Sequence, residues 1–117
     1  MIYLVSPFSH DDQMVEHDRY LAAKAATARL LAAGHQVFSP IAYSFQFAHV
    51  IEGSFAAWSE FDLAMIDAAD SVAVLMLDGW RESVGVQAEL RHARAAGKPV
   101  VFLDPVTLEP VDTLKIG

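Results

Sequence analysis

Asp78-Gly-Trp-Arg-Glu-Ser-Val-Gly-Val-Gln-Ala-Glu-Leu-Arg-His-Ala-Arg-Ala-Ala-Gly97 follows directly on the apolar run Ser71–Leu77, and its reading decides the fold. A short apolar run, a loop containing glycine and then a pattern of helical period predict strand, loop and helix in succession. Ser83 is a natural N-cap and Gly97 a natural residue just past the helix end. Between them Val86, Leu90 and Ala93 form an apolar stripe at i, i+4 and i+7, with Glu89 beside it. A carboxylate is thereby set against the core. The helix start before it offers unpaired backbone amides and a positive dipole end, which suit an anion.

Composition limits what such a site can do. At 117 residues the chain is read as one domain, residues 1–117, with 54% apolar and 20% charged residues, the balance of a folded protein. Fifteen acidic against eight basic residues give a net charge of -7, which argues against general nucleic-acid binding. The chain has no cysteine. Catalysis would therefore use carboxylates, hydroxyls or histidines. His10, His17, His35, His49 and His92 show no metal-ligand spacing, so neither a metal nor another cofactor is expected. A start at Ile2–Val5 without a basic leader, and no apolar run of membrane-spanning length, make a cytoplasmic protein without membrane contact the expectation.

Outward from the opening stretch, Ile2–Val5 reads as a first buried strand, stopped by Ser6-Pro7. Residues 11–33 predict a long helix with Asp11 or Asp12 as cap and Gly34 as terminator; Val15, Leu21, Ala22, Ala25, Ala28 and Leu31 or Ala32 are its expected inner stripe. His35–Phe38 reads as a second strand, and Ser39-Pro40 as the start of a loop carrying Tyr43, Phe45, Phe47 and His49. Ser54 could cap a helix whose stripe holds Trp58, Phe61, Asp62, Met65, Ile66 and Ala69, with Asp62 the exception among apolar neighbours. Lys98–Leu103 reads as a fourth strand, and the tail from Asp104 to Gly117 shows only a weak strand-like patch.

Alternating strands and helices predict an α/β protein, a doubly wound parallel sheet of the flavodoxin or Rossmann type in a three-layer sandwich. The expected strand order is 2-1-3-4, with a fifth short strand left open. In such sheets ligands bind beyond the carboxyl ends of the strands where the winding reverses. This rule sets Ser6, Pro7 and Phe8 opposite the stretch from Asp78 to Ser83, where Asp78, Gly79, Trp80 and Ser83 are candidate substrate contacts, and Gly85 in the helix start is another. Ordinary roles stand beside these. Glu89 could pair with Arg91 or His92, Asp62 could be a hydrogen-bonded core acid, and Tyr3 a buried ring. Trp80 could be a lid, a stacking surface or an exposed anchor.

Three segments carry a resemblance to the nucleoside 2-deoxyribosyltransferase-like superfamily, including its deoxynucleoside 5′-monophosphate N-glycosidase branch, over residues 1–104. Ser83-Val-Gly-Val-Gln-Ala-Glu-Leu90 resembles the segment bearing the family's nucleophile, which implies that role for Glu89. The stretch from Asp62 to Asp70 resembles the helix whose first aspartate assists at the site, which implies a catalytic Asp62. Ile2-Tyr3-Leu4 resembles the opening strand whose tyrosine hydrogen-bonds the glutamate, which implies that part for Tyr3. Ser83 stands where the transferases carry a base-reading aspartate, as in the monophosphate-cleaving branch, where the serine contacts phosphate. Ser6-Pro7-Phe8 lacks that branch's glycine-rich turn, and Gly79–Glu82 is similar to a loop of uncharacterised bacterial relatives. The resemblance implies a nucleotide or nucleoside N-glycosidase or deoxyribosyltransferase attacking C1′, acting on a small molecule as a homo-oligomer, a dimer or higher. A nucleotide-binding or sensing module with the same crevice is the alternative.

Overall fold

The computed structural model describes residues 1–47 and 55–112. Its strands are β1 (Ile2–Val5), β2 (Val37–Phe38), β3 (Ser71–Leu75) and β4 (Val100–Leu103); its helices are α1 (Gln13–Ala32), α2 (Pro40–Ser44), α3 (Phe55–Ala68) and α4 (Val84–Ala95). All three strand pairings are parallel and the order is β2-β1-β3-β4, as expected. Tyr3 is the hinge of the register, opposite Phe38 on one side and Val72 on the other.

Side-chain alternation along β1 builds two cores. Tyr3 and Val5 pack with Ile66 of α3, with Ala69 just past its end, and with Val86, Leu90 and Ala93 of α4. Leu4 packs on the other face with Ala26 of α1, beside Ala73, Leu75 and Leu103. The predicted stripe of α4 is therefore the buried one, and Glu89 lies at its margin. Ser83 caps α4 by accepting from the Val86 amide at 3.2 Å. Gly97 follows the helix at φ +72 and Gly34 follows α1 at φ +97, conformations that favour glycine. Of the two candidate caps for α1 it is Asp12 that accepts, from the Met14 amide at 2.8 Å.

The face of α1 departs from expectation. Ala23 and Ala26 are its buried residues, whereas Leu21 is 45% and Leu31 50% exposed, and Ala25, Ala28 and Ala32 are exposed too. The inner stripe is rotated by about one residue, because the small Ala23 and Ala26 let the helix approach the sheet closely. Ser39-Pro40 begins not a loop but a short helix: Ser39 accepts from the Ala42 amide at 3.1 Å, Pro40 takes the first helical position, and a 3-10 turn, Phe45–Phe47, follows. Strands two, three and four are shorter than predicted. The tail adds a single antiparallel bridge, Leu103 to Pro110, rather than a fifth strand among the described residues. Ser54 and His49 lie outside the described residues.

The rotated face makes opposite expectations for two leucines. Leu90→Ala should cost roughly 2 to 5 kcal/mol by removing buried methyls, while Leu21→Gln should stay within about 0.5 kcal/mol of the parent. Urea melts distinguish them; a large loss at Leu21 would restore the other face to the core.

Candidate active site

Tyr3, Glu89 and Asp62 come from three elements that meet on one face of the sheet. Tyr3 is wholly buried at the centre of β1, and its hydroxyl donates to Glu89 Oε2. The glutamate reaches it from the second turn of α4, held there by Val86 and Leu90 on either side of its stripe. Pairing with His92 is excluded, since that ring bonds Asp67 Oδ1 at 2.8 Å across to α3. Asp62 enters from α3, one turn before the fully buried Ile66.

The three groups bear on one another's charge. Burial pushes the Glu89 carboxyl up to about 8; the Tyr3 hydrogen bond opposes that rise, and the neighbouring Asp62 charge adds to it. Burial also raises Asp62, to about 6. The Tyr3 phenol rises far above its ordinary range because it is buried and faces both acids. The acids therefore form an interacting pair that loses its protons in separate steps. Between about pH 6 and 8 the pair carries one proton and one charge. Such a state can attack with one carboxylate and donate a proton from the other.

An aromatic group extends from this cluster. The Phe38 ring lies 5.9 Å from Tyr3, Tyr43 lies 5.5 Å from Phe38, and Tyr43 and Phe61 run nearly parallel at 5.8 Å. Tyr43 and Phe61 stay 41% and 38% exposed, so they form an open shelf, and Phe61 precedes Asp62 in the chain. The sequence singled out Tyr43 as an aromatic of a loop, but Phe38 only as part of a strand. A strand residue facing Tyr3 in register was the signal for the missed partner.

The loops beyond β1 and β3 are the two walls of the crevice expected where the winding reverses. Ser6 is 4% exposed and its hydroxyl has no partner among the described residues; Pro7 is fully buried. Their side chains thus sit under the crevice rather than open to it. Phe8 packs edge-on against Phe45 at 5.9 Å. Trp80 is not a free lid, because its ring rests on Phe102 at 5.4 Å with Arg81 stacked at 5.3 Å. Asp78 is exposed, and Gly79 turns the chain at φ +87. At the α4 start, a methyl on Gly85 would meet only Ser83 Oγ, at 3.9 Å, which leaves the amide surface there approachable. Ser83 Oγ accepts from Val86, so its own proton is directed elsewhere. Among the described residues no group of three or more potential metal-binding side chains occurs, and no helix is long and apolar enough to cross a membrane.

Comparison with known proteins relates the chain to a family and to a solved structure. Residues 1–104 match a family described as a domain of unknown function, DUF1937. The chain is also similar to the solved structure of a 2-deoxyribosyltransferase from the psychrotolerant bacterium Bacillus psychrosaccharolyticus. The two are 32% identical with a TM-score of 0.63, over 97% of this chain and 77% of that one. No curated protein matches at a significant level.

Raised carboxyl pKa values tie the site to stability. A group whose folded pKa lies above its unfolded one stabilises the fold fully below the unfolded value, and this contribution is lost as pH climbs through the folded value. For Asp62 and Glu89 that loss runs through about 6 and about 8. Glu89→Gln, which keeps an acceptor for Tyr3, is expected to be roughly 1 to 3 kcal/mol more stable than the parent at pH 9 and no more stable at pH 4. Urea melts across pH check this; a parent whose stability is flat from pH 5 to 9 would contradict it.

Proposed function

Since the chain belongs to the DUF1937 family and has the nucleoside 2-deoxyribosyltransferase-like fold, we propose that it breaks the N-glycosidic bond of a deoxynucleoside or its 5′-monophosphate, with Glu89 as nucleophile. The observation that carries this reading is the Tyr3 hydroxyl bonded to Glu89 with Asp62 acting on the same carboxylate. A buried tyrosine donating to a half-buried acid steadies the charged form in a fixed direction, which is what an attacking oxygen needs.

In the first half of the cycle the pair reacts through its minor arrangement, the shared proton moved from Glu89 to Asp62, and an oxygen of ionised Glu89 attacks C1′. The C1′–N bond breaks, its electron pair leaves with the base, and the Asp62 carboxyl supplies the proton that neutralises the base. The product is a glycosyl ester on Glu89, as in retaining glycosidases. In the second half water, or a second base, attacks C1′ and frees Glu89, while Asp62 takes up the incoming proton. Tyr3 holds Glu89 in place throughout. The Tyr43–Phe61 shelf offers the leaving base a stacking surface, and Trp80 with Phe102 forms a fixed wall. The Ser83 hydroxyl and the amides of Val84 and Gly85, which precede the helical ladder, suit a 5′-phosphate. Met14, Leu21 and Leu31, exposed along α1, favour assembly as a homo-oligomer.

One observation favours the sensing alternative. Glu89 at about 8 is mostly protonated at neutral pH, a state that a binding module could keep indefinitely. Turnover separates the two. On the enzymatic reading the rate of base release is bell-shaped in pH, with limbs at about 6 and 8 set by the carboxyl pair. Asp62→Asn should lower the rate by about 100-fold while stability holds or rises, since Asp62 is destabilised by burial alone. Chromatographic detection of free base over a panel of nucleosides and their monophosphates, with urea melts on the same preparations, checks both. Ligand-induced stabilisation without any release of base would favour the sensor.

Nucleoside 5′-monophosphates should raise the melting temperature more than the matching nucleosides, because only they reach the α4 start. Equal shifts would remove the phosphate from the proposal.

A further inference from the structure

Arg19 stands outside every role given so far, yet its guanidinium touches both walls of the crevice. It leaves α1 between Val15 and Ala23 on the face that packs on the sheet, and reaches past the carboxyl ends of the strands. Nη1 donates to the carbonyls of Phe8 at 3.3 Å and Ser9 at 3.0 Å; Nη2 donates to the carbonyl of Asp78 at 3.1 Å. Phe8 and Ser9 belong to the loop after β1, and Asp78 to the loop after β3.

These are the loops that part at the reversal of the winding. Strands β1 and β3 are paired through Val5 and Val74, but beyond them one chain turns towards α1 and the other towards α4 on the opposite face. Such a fork leaves peptide carbonyls without ladder partners, and a planar guanidinium can serve several at once where a lysine ammonium serves as a compact point charge. The chain also makes room for it. A methyl on Gly79 would come within 2.6 Å of Arg19 Nη2, so the arginine lies flush against the backbone at a residue already held at φ +87. Both loops and the glycine are fitted around one side chain.

We propose that Arg19 is a positioning residue that fixes the width of the crevice mouth, by tying the loop after β1 to the loop after β3. It acts through those loops and not on the reacting atoms, because Tyr3, Asp62 and Glu89 are held by β1, α3 and α4 on the other face of the sheet. Removing the fork should therefore loosen ligand capture and leave the chemical step in place. The kinetic part rests on the glycosidic reading given above; the structural part does not.

Hydrogen exchange followed by mass spectrometry, without ligand, tests the structural part on the whole chain. In Arg19→Lys, amides in segments 8–10 and 78–81 should exchange at least tenfold faster together, while those of β1 and α4 keep their parent rates. No change, or a change in one loop only, overturns the proposal. Arg19→Met gives the same comparison without the charge, and the lysine variant covers the case in which methionine fails to fold.

Base-release kinetics then test the functional part. KM should rise at least tenfold in Arg19→Met with kcat within threefold of the parent and both pH limbs unmoved, and lysine should recover part of the KM. A fall in kcat with shifted limbs would mean that the substitution disturbs the carboxylates, and would overturn the positioning role. A parent without turnover defeats the glycosidic reading alone, since the exchange experiment still decides whether Arg19 joins the loops.

Discussion

A hydroxyl at the centre of the sheet bonded to a carboxylate on a covering helix is the contact on which this molecule depends. Tyr3 has no exposed surface, so its phenol must find a partner inside the protein, and the partner is Glu89. That requirement fixes the rotation of α4 against the sheet as firmly as Val86, Leu90 and Ala93 do. It also sets an acid where burial disfavours its charge. Asp62 on the neighbouring helix compounds the cost, because two half-buried carboxylates close to one another do not readily ionise together. Burial raises both acids, and at Glu89 the Tyr3 hydroxyl opposes that rise.

Strained electrostatics of this kind cluster where chemistry is done. A purely structural solution was open to the chain: a leucine at position 89 and a phenylalanine at position 3 would fill the same volume with no unmet polarity. Retaining a polar trio on the same face of the sheet as an aromatic group is the pattern on which the proposed site rests. Fold similarity to a 2-deoxyribosyltransferase adds direction to that reading, while the residues supply the mechanism.

Much of this was legible in the residues. The stripe of α4 could be read because Arg91, Arg94 and Gln87 contrast sharply with Val86 and Leu90. The strand order followed from strand and helix alternation and the handedness of crossovers. Helix α1 shows why the rest was hidden: alanines line so many of its positions that periodicity cannot choose between the faces through Ala22 and Ala25 and through Ala23 and Ala26. Tertiary packing made the choice, exposing Leu21. The short helix α2 was within reach, since Ser39 followed by Pro40 is a helix start as much as a strand stop. Arg19 was not, because its link to Asp78 spans 59 positions and no local pattern announces it. The docking of Trp80 on Phe102 was equally remote, so a lid and a wall looked alike from the chain.

The central claim is that Glu89 forms a bond to the sugar. Its most direct test is rapid acid quench of the protein during turnover of a deoxynucleoside monophosphate, followed by peptide mass spectrometry. The account predicts a deoxyribosyl phosphate adduct on the peptide containing Glu89, present in the parent and absent from Glu89→Gln. Release of base with no adduct at Glu89, or an adduct on another residue, would contradict it.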